Sequence, residues 1–208
     1  QNDRLMQIVI REVDRLNELV EDFLAFARPR ELRFSKVDLR ELVEETVSLA
    51  TRDENTEGVR LACSITRDAE TLVADEDAVR QIMWNLVRNA VEANGGKGAV
   101  TIHAASLFAG INPEPFIEIS VADEGEGLSE AVQEKLFQPF FTTKENGSGL
   151  GLATVHRLIE AHSGMIWAEN NAEGGAIFRV MLPSAPSPEL VAEVDITGSL
   201  PTSAERKI

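Results

Sequence analysis

The sequence predicts an α+β fold: a two-layer sandwich of a mixed β-sheet with helices on one face, preceded by one long helix of coiled-coil type. Three observations carry this. Three segments after residue 38 repeat apolar residues every 3.6 positions, shorter β-branched runs lie between them, and the strand-helix-strand alternations are too few for a doubly wound sheet. With 208 residues, 43% of them apolar, a sizeable core can be buried and disorder throughout is excluded. Acidic residues outnumber basic ones 35 to 20, a net charge of −15 without a clustered basic patch, which argues against a nucleic-acid partner. The single cysteine, Cys63, excludes an intrachain disulfide framework and a Cys-rich zinc site. No apolar run approaches the ~20 residues of a membrane span, and Gln1-Asn2-Asp3-Arg4 lacks the layout of a signal peptide. The expectation is a cytoplasmic chain, any membrane anchor lying in other parts of a longer protein.

Residues 1–29 form the first unit. Leu5, Val9, Leu16, Leu19, Phe23 and Phe26 fall on heptad a and d positions, Glu12 interrupts one a site, and Pro29 ends the helix near Arg28. A helix this long and isolated needs a partner, as in a coiled coil or dimeric bundle; an ordinary core helix is the alternative.

Residues 30–183 form the second unit. Leu32 to Val37 reads as a strand, and Asp38 caps a helix over Leu39–Thr51 with Leu42, Val43 and Val47 on one face. Strands follow at Val59–Ile65 and Thr71–Ala74. The next helix, from Asp75 to about Ala93, carries Val79, Ile82, Met83, Leu86, Val87 and Ala90 as a stripe and stops at Asn94-Gly95-Gly96. Ala99–Ala105 and Phe116–Ala122 are strands joined by a Gly- and Pro-rich loop. Gly125 to Gly149 is glycine-punctuated, with a helical piece near Ser129 to Leu136. A helix from Leu150 to about His162 and strands Met165–Glu169 and Ala176–Leu182 close the unit. Residues 184–208 lose periodicity and gain Ser, Pro and Glu, as in a flexible tail or linker.

Four segments carry candidate chemistry. Asn85 and Asn89 stack on one face of a packed helix, where amides must find partners; they cap neighbouring backbone or offer oxygen to Mg²⁺. Asp123-Glu124-Gly125-Glu126-Gly127 ends a strand. It is a tight bend, or a carboxylate placed for an exocyclic amine with glycines admitting a flat base. Gly147-Ser148-Gly149-Leu150-Gly151-Leu152 opens a helix and exposes backbone amides suited to phosphate, but it fits neither the Walker pattern nor the dinucleotide fingerprint. Between the two lies Lys135 to Lys144 with Phe137, Phe140 and Phe141, either a satellite apolar cluster or a flap that closes on a ligand.

In this order and spacing the four segments resemble the ATP-binding domain of bacterial sensor histidine kinases, the fold shared with DNA gyrase and the MutL mismatch-repair protein. The match runs from about Leu32 to Pro183. The asparagine box is Gln81 to Ala93, the first glycine box Asp123 to Gly127, the phenylalanine box Phe137 to Phe141 and the second glycine box Gly147 to Leu152, with Gly174-Gly175 before the last strand. Phe137-Gln-Pro-Phe-Phe-Thr-Thr-Lys144 and Phe26-Ala-Arg-Pro29 look most like the nitrogen-regulation type.

The resemblance implies ATP and Mg²⁺ as ligands. Asn89 would hold the metal, Asn85 would lie beside the phosphates and Asp123 would bind the adenine amine. Gly125 and Gly127 would admit the base and hinge the flap, and Lys144 would reach the phosphates. Gly147, Ser148, Gly149, Leu150, Gly151 and Leu152 would hold them. Related ATPases have a glutamate at the position of Asn85, and an amide cannot activate water, which favours transfer to a protein acceptor. Ile177 stands where many relatives have Thr or Ser near the adenine. Glu92 replaces a cation that faces phosphate, and its carboxylate is expected to point away.

The family phosphorylates a histidine followed by an acidic residue on the first helix of a dimerisation hairpin, and the three histidines here, His103, His156 and His162, do not match it. Residues 1–29 are then read as the second hairpin helix of a catalytic fragment. The expected partners are ATP, a response-regulator receiver domain and a second copy bound through the hairpin, with no nucleic acid and no membrane span in this chain. The rival from another class is a non-catalytic nucleotide-sensing module whose flap controls partner binding. A serine kinase of the anti-sigma type shares the site but would lack the coiled-coil helix.

Overall fold

The computed structural model describes residues 2–27, 31–53, 56–107, 115–144 and 147–185. In chain order the elements are α1 Asn2–Ala27, β1 Phe34–Asp38, α2 Leu39–Thr51, β2 Val59–Ile65, β3 Thr71–Asp75, α3 Glu76–Ala93, β4 Gly98–Leu107, β5 Phe116–Asp123, α4 Glu130–Gln133, α5 Gly151–Ala161, β6 Met165–Asn170 and β7 Ala176–Pro183. The expected segments agree with these to within a few residues, apart from the single-turn α4. Two aspartates turn strand into helix. Asp38 accepts the Glu41 N–H at 3.0 Å, and Asp75 Oδ1 accepts the Ala78 N–H at 2.9 Å, each satisfying a first-turn donor.

The main sheet has the order β2-β4-β5-β7-β6; β2 runs parallel to β4 and the remaining pairs are antiparallel. β1 and β3 form a separate antiparallel ribbon with Phe34 opposite Asp75, a division that strand propensity does not reveal. Alternation decides which residues face the helices. On β4 Val100, Ile102 and Ala104 are buried, and on β5 Ile117, Ile119 and Val121, beneath Ile82, Met83, Leu86 and Val87 of α3 and Val155 and Ile159 of α5. The opposite face is polar in places. Arg179 bonds Glu118 at 2.9 Å and Glu169 at 2.7 Å, joining β5, β7 and β6 by charge.

α1 leans on α5, where Arg157 donates to the Phe26 carbonyl and lies 5.0 Å over its ring. Leu19 and Phe26 are half-buried. The exposed apolar residues of α1 are Met6, Val9, Ile10, Val13, Leu16, Val20, Phe23 and Leu24, and Val9, Leu16 and Phe23 among them belong to the expected heptad. Among the described residues no helix is long and apolar enough to cross a membrane.

Ser184 corrects the start of the expected tail, because it donates to the Pro115 carbonyl at 3.0 Å and accepts the Val73 N–H at 2.9 Å. The rest of the predicted tail from residue 186, the Gly- and Pro-rich loop 108–114 and Pro29 lie outside the described residues.

Candidate functional site

The inward alternation of β5 continues past Val121 to Asp123, which therefore sits beneath the helical layer and is 3% exposed. A buried carboxylate needs donors. Asp123 Oδ1 accepts the Gly125 N–H at 2.9 Å and the Ala176 N–H at 3.1 Å. No described residue bonds Oδ2, so this second acceptor is left to the cleft that Asp123 lines. Gly175, at φ +81°, brings its backbone against Asp123, so a side chain there would collide with the Asp123 backbone.

The cleft has a volume of about 1090 Å³, which suits a nucleotide-sized ligand. Its floor is the C-terminal half of α3, where Asn89 and Glu92 project one turn apart. Lys144 enters from the segment after β5. Its Nζ donates to Asn89 Oδ1 at 3.0 Å and pairs with Glu92, whose other oxygen lies 3.7 Å from Arg88 Nε. Glu92 thus points into the cleft, contrary to expectation, because the lysine ammonium neutralises it there. Asn89 Oδ1 already carries a positive group, and a hard oxygen donor in that setting fits Mg²⁺.

The glycine-rich turn forms the third wall. Gly149 has φ +67°, and a Cβ there would lie 2.5 Å from the Phe140 carbonyl carbon; Phe140 N–H bonds Gly149 O at 2.9 Å, tying the two ends of the segment together. α5 begins at Gly151 without a side-chain cap, so its first amides face the cleft with the positive end of the helix dipole. Asn85 lies behind this wall. Its Nδ2 donates to Gln81 O at 3.0 Å, and a Cβ on Gly151 would meet its Oδ1 at 3.0 Å.

Of the predicted binding residues, Asn89, Asp123, Gly125, Gly127, Lys144, Gly147, Ser148, Gly149, Gly151 and Leu152 line one cleft, whereas Asn85 and Leu150 are buried beside it. Ile177 does not approach the cleft. It pairs with Ala122 and Glu169 on the sheet's outer face, and its neighbours Ala176 and Phe178 line the cleft instead, because strand alternation turns every second side chain away.

The segment between the glycine boxes is not a free loop throughout. Leu136 is buried, Leu128, Val132 and Phe137 pack on the core, and Phe140 is 65% exposed at φ +66°. At its start Asn170 accepts the Leu128 N–H at 2.6 Å and donates to the Leu128 carbonyl at 2.9 Å. Asn94 ties three elements: its Nδ2 donates to Ala90 O and Ala99 O, and its Oδ1 accepts the Glu124 N–H at 3.1 Å. Sequence reading misses both roles, since an asparagine at an element end signals only a turn.

None of the histidines lines the cleft. His103 is exposed on β4, and His156 stacks 5.4 Å from Phe137 and reaches Glu160 at 3.2 Å. His162 is buried: Nε2 accepts the Asp75 N–H at 3.1 Å, which places the proton on Nδ1, 2.7 Å from Leu158 O.

Comparison with known proteins identifies the family. The family model described as histidine kinase-, DNA gyrase B-, and HSP90-like ATPase matches residues 74–186. The sensor histidine kinase ZraS of Escherichia coli (strain K12) is 34% identical over 180 residues, 86% of this chain and 37% of that protein. Among solved structures, full-length ShkA in complex with AMPPNP superposes with a TM-score of 0.74 at 31% identity, covering 88% of this chain and 39% of ShkA. Histidine kinase ThkA in complex with the response regulator protein TrrA gives 0.73 at 29% identity, covering 89% of this chain and 52% of that one. The chain therefore spans only part of the length of these relatives.

Proposed function

The chain belongs to the family of histidine kinase-, DNA gyrase B- and HSP90-like ATPases, and from that premise we propose that it binds Mg-ATP in the cleft and presents the γ-phosphate to a histidine on a dimerisation helix outside these 208 residues. The observation that carries this reading is the single cleft joining the Asp123 acceptor, the Asn89 amide and the open amides of α5.

Asp123 Oδ2 accepts the adenine amine, while Gly125 and Gly127 keep side chains out of the plane of the base. The backbone amides of Gly149 and Gly151, at the entry to α5, receive phosphate oxygens, while the Leu150 N–H is held by Ser148 Oγ at 3.2 Å. Asn89 Oδ1 would hold Mg²⁺, which neutralises phosphate charge when bound. Asn85, an amide tied to Gln81, offers no base for water, so the bound nucleotide is kept for an incoming nucleophile. Transfer needs that nucleophile in line, about 3–3.5 Å from phosphorus. His103, His156 and His162 lie elsewhere on the domain.

The exposed heptad of α1 supports assigning residues 1–29 to a dimerisation hairpin shared with a second copy, and 30–183 to the catalytic domain. ThkA was solved with a response regulator, which supports a receiver domain as the downstream partner here. The wording of Phe137 to Lys144 and of Phe26 to Pro29 favours the nitrogen-regulation type among sensor kinases. A nucleotide-sensing module without transfer is the competing reading.

The two are separated by incubating the chain with γ-labelled ATP and a histidine-containing hairpin. Acid-labile label on the hairpin supports transfer. ATP binding with no label on any hairpin offered, including that of ZraS, supports sensing alone.

A further inference from the structure

We propose that Asn89 Oδ1 and Glu92 form a two-oxygen cation site that Lys144 occupies in the nucleotide-free chain and yields to the divalent metal arriving with ATP. This rests on the reading of the cleft as a Mg-ATP site. The two oxygens lie three residues apart on one face of α3, near its C-terminus, where the helix dipole favours positive charge. α3 itself supplies no basic residue to its last turn, and the cation found there comes from the opposite wall.

The Lys144–Glu92 pair is partly exposed, with side chains 41% and 35% accessible, so it is exchangeable rather than fixed. An amide oxygen and a carboxylate are the protein share that Mg²⁺ usually takes when phosphates and waters complete its shell. Arg88 Nε lies 3.7 Å from the other Glu92 oxygen, a second positive charge beside the carboxylate. Once the metal takes the two oxygens, the ammonium is displaced within reach of the phosphates. One exchange thus couples metal loading to the position of the segment that carries Lys144. Glu92, at a position where the family resemblance implies a cation, acts here as a metal-positioning carboxylate.

Mn²⁺, added without nucleotide to the whole chain and followed by electron paramagnetic resonance, tests the site directly. Lys144→Met should bind Mn²⁺ roughly thirtyfold more tightly than the unmodified chain, the scale expected when a unit charge about 4 Å from a divalent ion is removed in a water-like dielectric. Glu92→Gln in the Lys144→Met background should abolish the gain. Mn²⁺ affinity that ignores Lys144, or a gain that survives Glu92→Gln, overturns the exchange whatever ATP does. Calorimetric titration with ATP in parallel addresses the nucleotide reading separately, because absence of ATP binding would overturn that reading while the Mn²⁺ pattern still reports on the oxygen pair.

Discussion

Replacing Asp123 by asparagine should reverse the preference of the cleft for the base while leaving the fold intact. In the structure Oδ1 accepts two backbone N–H groups, from Gly125 and Ala176. In Asp123→Asn the side-chain amide oxygen must therefore keep that place, since an NH₂ group there would face two donors. Its nitrogen then takes the position of Oδ2 and meets the adenine amine donor to donor. Losing a hydrogen bond to a charged acceptor costs about 1.5–3 kcal/mol, a roughly tenfold to hundredfold loss of ATP affinity at about 1.36 kcal/mol per decade. Inosine triphosphate, with an oxo group in place of the amine, should be spared or bound more tightly. Calorimetric titration of both nucleotides into both proteins reads the effect, and chemical denaturation checks that the fold is retained. An unchanged preference for ATP over inosine triphosphate in the folded variant would refute the role of Asp123.

Three further outcomes follow from other contacts. Gly149→Ala forces a left-handed conformation, costing about 1–2 kcal/mol, and drives a methyl onto the Phe140 backbone; the melting temperature should fall by roughly 2–8 °C and ATP binding should weaken, and an unchanged melting curve would contradict the contact. Hydrogen exchange over Leu128 to Ser148 should be fast without nucleotide and slower with Mg-ATP, except near Leu136, which is already buried; equal rates in both states would indicate a fixed wall. His162→Phe strips a partner from the buried Asp75 N–H and should destabilise the domain by about 1–3 kcal/mol without changing label transfer to a hairpin; loss of transfer at unchanged stability would point to a chemical role.

Most elements are legible in the sequence because their signals are local. The stripe from Val79 to Ala90, the cap Asp38 and the stop at Asn94 each follow from spacing and side-chain chemistry. The expectations that fail depend on what lies across space. Charge alone turns Glu92 away from phosphate, yet a lysine from a segment fifty-two residues later neutralises it. Ile177 is one position from the residues that reach the cleft, and with a period of two that moves a side chain to the other face of the sheet. Asn170 and Asn94 hold backbone belonging to other elements, and no spacing rule announces such contacts.

Where the nucleotide sits is reported residue by residue by amide chemical shifts. Titration of the isotopically labelled chain with Mg-AMPPNP should move the amides of Gly125, Gly127, Gly149 and Gly151, which line the cleft, and leave Arg60, Ala62 and Ser64 on the sheet-edge strand β2 unmoved. Saturating shifts confined to the first group are the predicted result. Absence of any shift at saturating nucleotide, or shifts centred on β2, would contradict the assignment of the cleft as the Mg-ATP site.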